Sequence, residues 1–150
     1  MEEEEAAMTS DKITVQVTHR FAAKPERVFD AWLDARTAGQ WLFATPTGRI
    51  TRCAIDARVG GKFSIVRLDG EEVDHVGEYL EIDRPRRLVF TFGVPKFSPE
   101  MTRVLIDIRP LDAGCELTLT NENVLAEYGE RNKQGWGMIL DGLDKSLSAH

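Results

Sequence analysis

The sequence predicts an α+β fold with one strand, two small helices, six further strands and a long terminal helix. Seven short segments alternate apolar and polar residues, which is typical of half-buried antiparallel strands. The stretch 132–147 instead places its apolar residues at helical spacing. Because a sheet face and a helix stripe must each be buried against a partner, we expect the terminal helix to cover one face of the sheet.

The terminal helix has one apolar face. Drawn at 100° per residue, its apolar side chains fall within an arc of about 100°, and they are Trp136, Ile139, Leu140, Leu143 and Leu147. Gly135, Gly142 and Ser146 lie along one edge of that arc. An interior glycine costs a helix about 1 kcal/mol relative to alanine, so we interpret this edge as the lid of a cavity. The alternative is a plain core helix with tolerated glycines.

The first third of the chain predicts a strand followed by two helices. Residues 13–21 alternate strictly, as a half-buried strand does. Pro25 suits the first position of a helix and Glu26 the positive end of its dipole. We expect this helix to run through Leu33, and a second short helix, capped by its first residue, to span 34–41.

Extended segments fill the chain from residue 49 to residue 121. Glycine, proline and aspartate punctuate them in the short patterns that form hairpins, which predicts antiparallel neighbours. The predicted strands are 49–57, 62–68, 71–82, 86–93, 101–110 and 114–121.

The composition is that of a globular domain. The chain has 150 residues, of which 42% are hydrophobic and 29% charged. This length and composition fit one domain, which we place at 11–150. We expect the acidic segment 1–10 to form a disordered tail. The net charge of −6 includes four consecutive glutamates, and without them it is close to −2. This argues against a nucleic-acid partner, because phosphate binding requires clustered positive charge.

Cysteine spacing and hydropathy bear on location. Cys53 and Cys115 have neither the spacing of a zinc or redox site nor the density of a secreted scaffold, so we expect reduced thiols. No apolar run reaches ~20 residues, and 1–10 lack the features of a signal peptide. We therefore expect a cytoplasmic monomer or homodimer without membrane insertion.

The order of elements and the residues that fill them resemble a known family over about 13–148. The matching pieces are AKPERVFDAW at 23–32, Trp41, DARVGGKF at 56–63, GEYLEI at 77–82 with RLVFTF at 87–92, ELTLT at 116–120, and Gly135 with Trp136. Together they are similar to the activator of Hsp90 ATPase homologue 1-like family, within the START and Bet v 1-like helix-grip superfamily. The resemblance implies a curved antiparallel sheet wrapped around a long C-terminal helix, with an apolar cavity between them.

The resemblance leaves three functions open, because this scaffold hosts many activities. The first hypothesis is binding of a small apolar or amphipathic ligand, such as a lipid, in the cavity. The second, implied by the family name, is a stress-response protein that contacts an Hsp90-type chaperone through an outer surface. The third is a small cyclase- or hydrolase-type enzyme, which would need an inward acid/base pair.

The predicted ligand site is apolar with two polar contacts. Its wall comprises Phe63, Ile65, Tyr79, Phe90, Phe92, Trp136, Leu140 and Leu143. His75 lies where neither strand phase is cleanly apolar, which fits a solvated cavity or an edge strand equally well. Arg103 either points inward to hold a carboxylate or points outward to pair with an acid.

Sequence motifs assign no catalytic residue. The chain contains no nucleophile elbow, phosphate-binding loop or dinucleotide fingerprint. His19, His75 and His150 lack the spacing of a helical metal site. We therefore expect no metal and no cofactor.

Overall fold

The computed structural model describes residues 11–45 and 47–148, and the predicted tail over 1–10 lies outside them. Two α-helices are present, α1 (Pro25–Ala31) and α2 (Gly129–Ser148). The strands are β1 (Lys12–Phe21), β2 (Arg49–Ile55), β3 (Lys62–Asp69), β4 (Glu71–Asp83), β5 (Arg87–Phe92), β6 (Thr102–Pro110) and β7 (Cys115–Leu125).

All seven strands form one antiparallel sheet in the order β1-β7-β6-β5-β4-β3-β2. Strands β2 to β7 pair in sequence, whereas β1 pairs with β7, so the segment between β1 and β2 passes from one edge of the sheet to the other. The sheet curves around α2, so the predicted α+β fold is confirmed. This topology leaves β1 and β2 at the two edges.

Strand alternation defines the inner face of the sheet. Leu117 and Leu119 on β7 and Ile106 on β6 are fully buried in the core, while their neighbours along each strand are more exposed. The apolar face of α2 closes the core, because Trp136 is only 3% exposed and Leu140 and Leu143 are not exposed at all. The apolar arc of the terminal helix therefore does cover the sheet.

The second predicted helix is reduced to one 3-10 turn at Ala38–Gln40. The Asp34 carboxylate accepts hydrogen bonds from the backbone and side chain of Arg36, which closes a local turn. Such side-chain bonds compete with helix formation. The segment nevertheless delivers Trp41 and Leu42 into the core, where they are 3% and 4% exposed.

Strand β7 is longer than the sequence predicts, and helix α2 begins earlier. Strand β7 passes through an irregular register near Asn123, whose φ is +68°, and pairs again as far as Leu125. Asparagine tolerates this left-handed conformation better than most residues. Helix α2 then starts at Gly129 instead of residue 132, so Asn132 lies inside its first turn.

Two polar contacts hold the end of α2, one from the sheet edge and one from α1. His19 Nε2 on β1 lies 2.8 Å from Asp144 Oδ2 on α2. Arg27 donates from Nη2 to the Leu147 carbonyl oxygen over 2.7 Å. Among the described residues, no helix combines the length and hydropathy needed to cross a membrane.

Candidate functional site

A pocket of about 250 Å³ lies between the inner face of β3–β5 and the first half of α2. We call it the sheet–helix pocket. It is lined by Phe43, Arg67, Val73, His75, Phe92, Val94, Phe97, Asn132, Gly135, Trp136 and Ile139. Its wall is thus mostly aromatic and aliphatic, with three polar side chains, a composition common in small-molecule sites.

Three parallel rings form one wall of the pocket. Phe43 stacks on His75 with centroids 4.5 Å apart and on Phe92 with centroids 5.0 Å apart. Trp136 meets Phe92 at a steep angle of 66°. Phe43 has a φ of +62°, a left-handed conformation that a bulky residue adopts at a cost of about 1–3 kcal/mol. The fold thus holds Phe43 in a strained backbone conformation at the pocket wall.

His75 is buried and neutral. It is 5% exposed, and its Nδ1 lies 3.0 Å from the Ile65 carbonyl oxygen. Because a carbonyl only accepts, Nδ1 carries the proton and Nε2 is left with a lone pair. Burial, aided by the Arg67 charge, lowers the pKa of His75 below its usual 6.5. The ring therefore stays uncharged at neutral pH.

Asn121 connects the sheet to α2 beside the pocket. Its side chain is fully buried, and Oδ1 accepts from Trp136 Nε1 and from Asn132 Nδ2, each over 3.0 Å. An indole N–H can only donate, so this contact fixes the Asn121 oxygen and directs the NH₂ of Asn132 toward it. The Asn132 Oδ1 is left buried without a hydrogen-bond partner among the described residues.

Arg67 supplies positive charge to the pocket. It lies two residues after Ile65 on β3, so both side chains are on the inward face of the strand. In the pairing of β3 with β4, Ile65 lies opposite His75 and Arg67 lies opposite Val73. Its Nη1 donates to the Phe43 carbonyl oxygen over 3.1 Å, while its Nε is buried and unpartnered among the described residues. Arg67 therefore braces the strained Phe43 and keeps one donor unused.

The glycine edge of α2 divides into two environments. A Cβ on Gly135 would meet no atom within 4 Å, and this residue lines the pocket. A Cβ on Gly142 would instead lie 3.6 Å from the Trp41 Cβ. Open space at Gly135 fits the predicted lid, whereas the backbone at Gly142 closely approaches a core tryptophan.

The structure divides the predicted site residues, Arg103 apart, into two sets. His75, Phe92 and Trp136 line the pocket. Phe63, Ile65, Tyr79 and Phe90 instead surround a void of about 10 Å³ deeper in the core. Leu140 and Leu143 are fully buried in the same core. The deep part of the expected cavity is thus filled by side chains, and open space remains only near the start of α2.

An inward orientation of Arg103 is wrong. Arg103 lies opposite Glu122 on β7 and pairs with it at 3.0 Å, on the strand phase that alternates with buried Val104. The carboxylate partner on the neighbouring strand holds the guanidinium on the outer face of the sheet. Arg103 therefore does not line the sheet–helix pocket.

Sequence reasoning missed Phe43, Arg67, Asn121 and Asn132. The phase of β3 could have revealed Arg67, because it follows Phe63 and Ile65 at a spacing of two. Phe43 lies in a loop without periodicity. Asn121 stands at the end of the predicted strand and continues the buried phase of Leu117 and Leu119, so strand alternation could have revealed it too.

Three other hollows lie outside the sheet–helix pocket and the core void. One, of about 370 Å³, is lined by residues at the end of β1, on α1 and near the end of α2, including Phe21 and Asp144. A groove of about 680 Å³ runs over the outer face near Met101, and a hollow of about 410 Å³ is lined mainly by charged side chains such as Arg87 and Asp107. Within residues 11–45 and 47–148, no group of three histidine, cysteine or carboxylate side chains is placed to hold a metal. Of these four, the sheet–helix pocket is the one with a wall of stacked aromatic rings.

Residues 22–148 match a family described as activator of Hsp90 ATPase homolog 1-like protein. A crystal structure from Chromobacterium violaceum has 27% identity and a TM-score of 0.80, covering 88% of this chain and 94% of that one. An AHSA1-like protein from Aeromonas hydrophila has 20% identity and a TM-score of 0.78, covering 91% and 93%. A protein of unknown function from Staphylococcus aureus has 16% identity and a TM-score of 0.83, covering 93% and 95%. No protein of curated function matches the chain.

Proposed function

The chain belongs to the activator of Hsp90 ATPase homolog 1-like family, and we propose that it binds a small hydrophobic or amphipathic molecule in the sheet–helix pocket. The observation that carries this proposal is open space of about 250 Å³ at the side-chain-free position Gly135, facing a stack of aromatic rings. Burying apolar ligand surface there is worth roughly 25 cal/mol per Å². The strained Phe43 in the wall adds support, because such strain concentrates at binding sites.

Filling the pocket from α2 tests this proposal. Gly135→Leu introduces a side chain into the open space, and it also replaces a poor helix former, which is worth up to about 1 kcal/mol of stability. We expect binding of a neutral naphthalene fluorophore to weaken at least about tenfold while the melting temperature holds or rises. Titration by fluorescence and thermal unfolding by circular dichroism measure the two effects.

Gly137→Leu is the matched control. A Cβ on Gly137 also meets no atom within 4 Å, but this residue does not line the pocket. It should gain similar helix stability and bind the fluorophore as the parent does. Equal affinities for the parent and both variants, or no saturable binding to the parent, would refute the proposal.

A second proposal, contact with an Hsp90-type chaperone, follows from the family description. It would use exposed apolar side chains, such as Phe97 and Met138, which are 69% and 65% exposed. If so, Met138→Lys should weaken co-sedimentation with the chaperone while Gly135→Leu should not. Unchanged chaperone ATPase rate and sedimentation on adding the parent protein would contradict it.

Catalysis finds less support. The ionisable side chains that line the pocket are Arg67 and His75, and no carboxylate is present among the described lining residues. An acid/base mechanism of the cyclase or hydrolase type requires a matched pair within reach of the substrate. A binding role therefore explains this pocket better than an enzymatic one.

A further inference from the structure

We infer that the occupant of the sheet–helix pocket is a small organic acid with an aromatic or apolar body, whose carboxylate pairs with Arg67. This inference rests on the proposed binding function and specifies its ligand class. It starts from an imbalance of charge inside the pocket.

Among the described residues, Arg67 and Arg49 are the arginines of the sheet without an acidic partner, and of these two only Arg67 is half-buried. Arg52, Arg87, Arg103 and Arg109 each pair with a carboxylate. Among the described residues, Arg67 forms no such pair, and its Nη1 bonds only a neutral carbonyl. Partial burial of an uncompensated cation is costly, since it loses hydration without gaining an opposite charge. An anionic ligand would supply the missing charge.

The neighbouring groups do not compensate Arg67. His75 is its diagonal neighbour across β3 and β4, and burial keeps that ring neutral. The only other polar side chain in the pocket wall is Asn132, an uncharged amide. The guanidinium is therefore the sole charged group among the described residues that line the pocket, and a carboxylate is the partner that its geometry and charge favour.

The unpartnered Asn132 Oδ1 adds a second requirement. Because Asn121 and Trp136 fix the amide orientation, this atom can only accept a hydrogen bond. A ligand hydroxyl or N–H group would satisfy it after a side-chain shift that exposes this buried oxygen. Between the two polar groups, the rings of Phe43, Phe92 and Trp136 favour a flat, apolar body. The structure thus points to hydroxyaromatic acids of one ring.

Matched acid and amide probes test the inference. We expect the parent to bind at least one hydroxybenzoate isomer about tenfold or more tightly than the corresponding hydroxybenzamide, which has the same shape without charge. Such a ratio is typical of one charge-assisted hydrogen bond. Arg67→Met should bring the two affinities within about twofold, and Arg67→Lys should retain part of the preference. Isothermal titration calorimetry gives each dissociation constant.

Arg52→Met is the matched control, because Arg52 lies on the adjacent strand with its side chain on the outer face, bonded to Ser64. It should leave the acid preference intact. Near-ultraviolet circular dichroism reports whether Arg67→Met keeps the aromatic stack. If that variant does not fold, the comparison of acid with amide on the parent still tests the inference.

The outcomes separate this inference from the proposed function. Equal binding of acid and amide by the parent, or an acid preference that survives Arg67→Met, overturns the assignment of an acid at Arg67 while leaving a binding pocket. The contact with Asn132 is tested by comparing hydroxybenzoate with benzoate, which lacks the hydroxyl. If the parent binds hydroxybenzoate more tightly and Asn132→Leu loses that difference, the contact is supported. If the difference persists in Asn132→Leu, the contact is overturned. If neither these probes nor the neutral naphthalene fluorophore binds the parent, the proposed function fails as well.

Discussion

Replacing Asn121 by leucine should destabilise the fold strongly, although the two side chains have similar size. The change removes two accepted hydrogen bonds and one donated to the Arg103 carbonyl oxygen. The buried Trp136 N–H then has no partner, at a cost of about 1–3 kcal/mol, and each of the other bonds contributes about 0.5–1.5 kcal/mol. We expect a loss of about 3–5 kcal/mol in unfolding free energy.

For a chain of this length, 1 kcal/mol shifts the melting temperature by about 2–4 °C, so the melting temperature should fall by roughly 6–20 °C. Differential scanning calorimetry measures it. Thr120→Val, which removes only the exposed bond between Gln16 and Thr120, is the control and should cost less than about 1 kcal/mol.

A double-mutant cycle with Trp136→Phe isolates the indole bond. Phenylalanine has no N–H to leave unpaired, so the double variant should be about 1–2 kcal/mol more stable than the sum of the single losses predicts. Additive losses, or an Asn121→Leu protein that melts within about 2 °C of the parent, would refute the argument that Asn121 connects sheet and helix energetically.

Two further predictions concern His75 and Gly77. Because burial lowers the folded-state pKa of His75 below 6.5, the unfolded state binds more protons as pH falls below that value. Stability should decline from pH 6.5 toward the folded-state pKa, and urea titrations across pH 4 to 7 should give a flatter profile for His75→Phe; an identical slope would contradict this. Gly77→Ala should lower the free energy of unfolding in urea by about 1–3 kcal/mol, because the added Cβ would overlap the Thr91 carbonyl oxygen and the Phe63 ring. The control Gly137→Ala should stabilise the protein, because its Cβ enters open space within a helix. If both variants are more stable than the parent, the strand at Gly77 relaxes freely and the prediction is wrong.

The sequence predicted the fold class and the main buried faces because both depend on local periodicity. Alternation over 13–21 and the apolar arc of 132–147 each commit one side of an element to burial, whatever lies opposite. The short hairpin connections then restrict neighbouring strands to antiparallel pairing. The second helix was harder to predict, since the Asp34 carboxylate accepts a hydrogen bond from the Arg36 backbone N–H, which favours a turn over a helix.

The sequence left the orientation of the two polar candidates open. Strand phase near His75 is ambiguous, and only its place opposite Ile65, beneath the Phe43 ring, puts it inside. Arg103 follows the outward phase once β6 is placed between β5 and β7, where Glu122 meets it. Pairing register depends on contacts between residues far apart in the chain, which periodicity does not encode.

By itself, then, the sequence determined which faces are apolar, how the elements follow one another, and that one edge of the last helix carries glycines. Only the tertiary structure decided what lies at that edge, with open space at Gly135 and contact with Trp41 at Gly142. It also placed Phe43, Arg67 and Asn132 around the same pocket. Cavity shape depends on how side chains from distant segments fill a shared volume, so it emerges only when all of those segments are packed together.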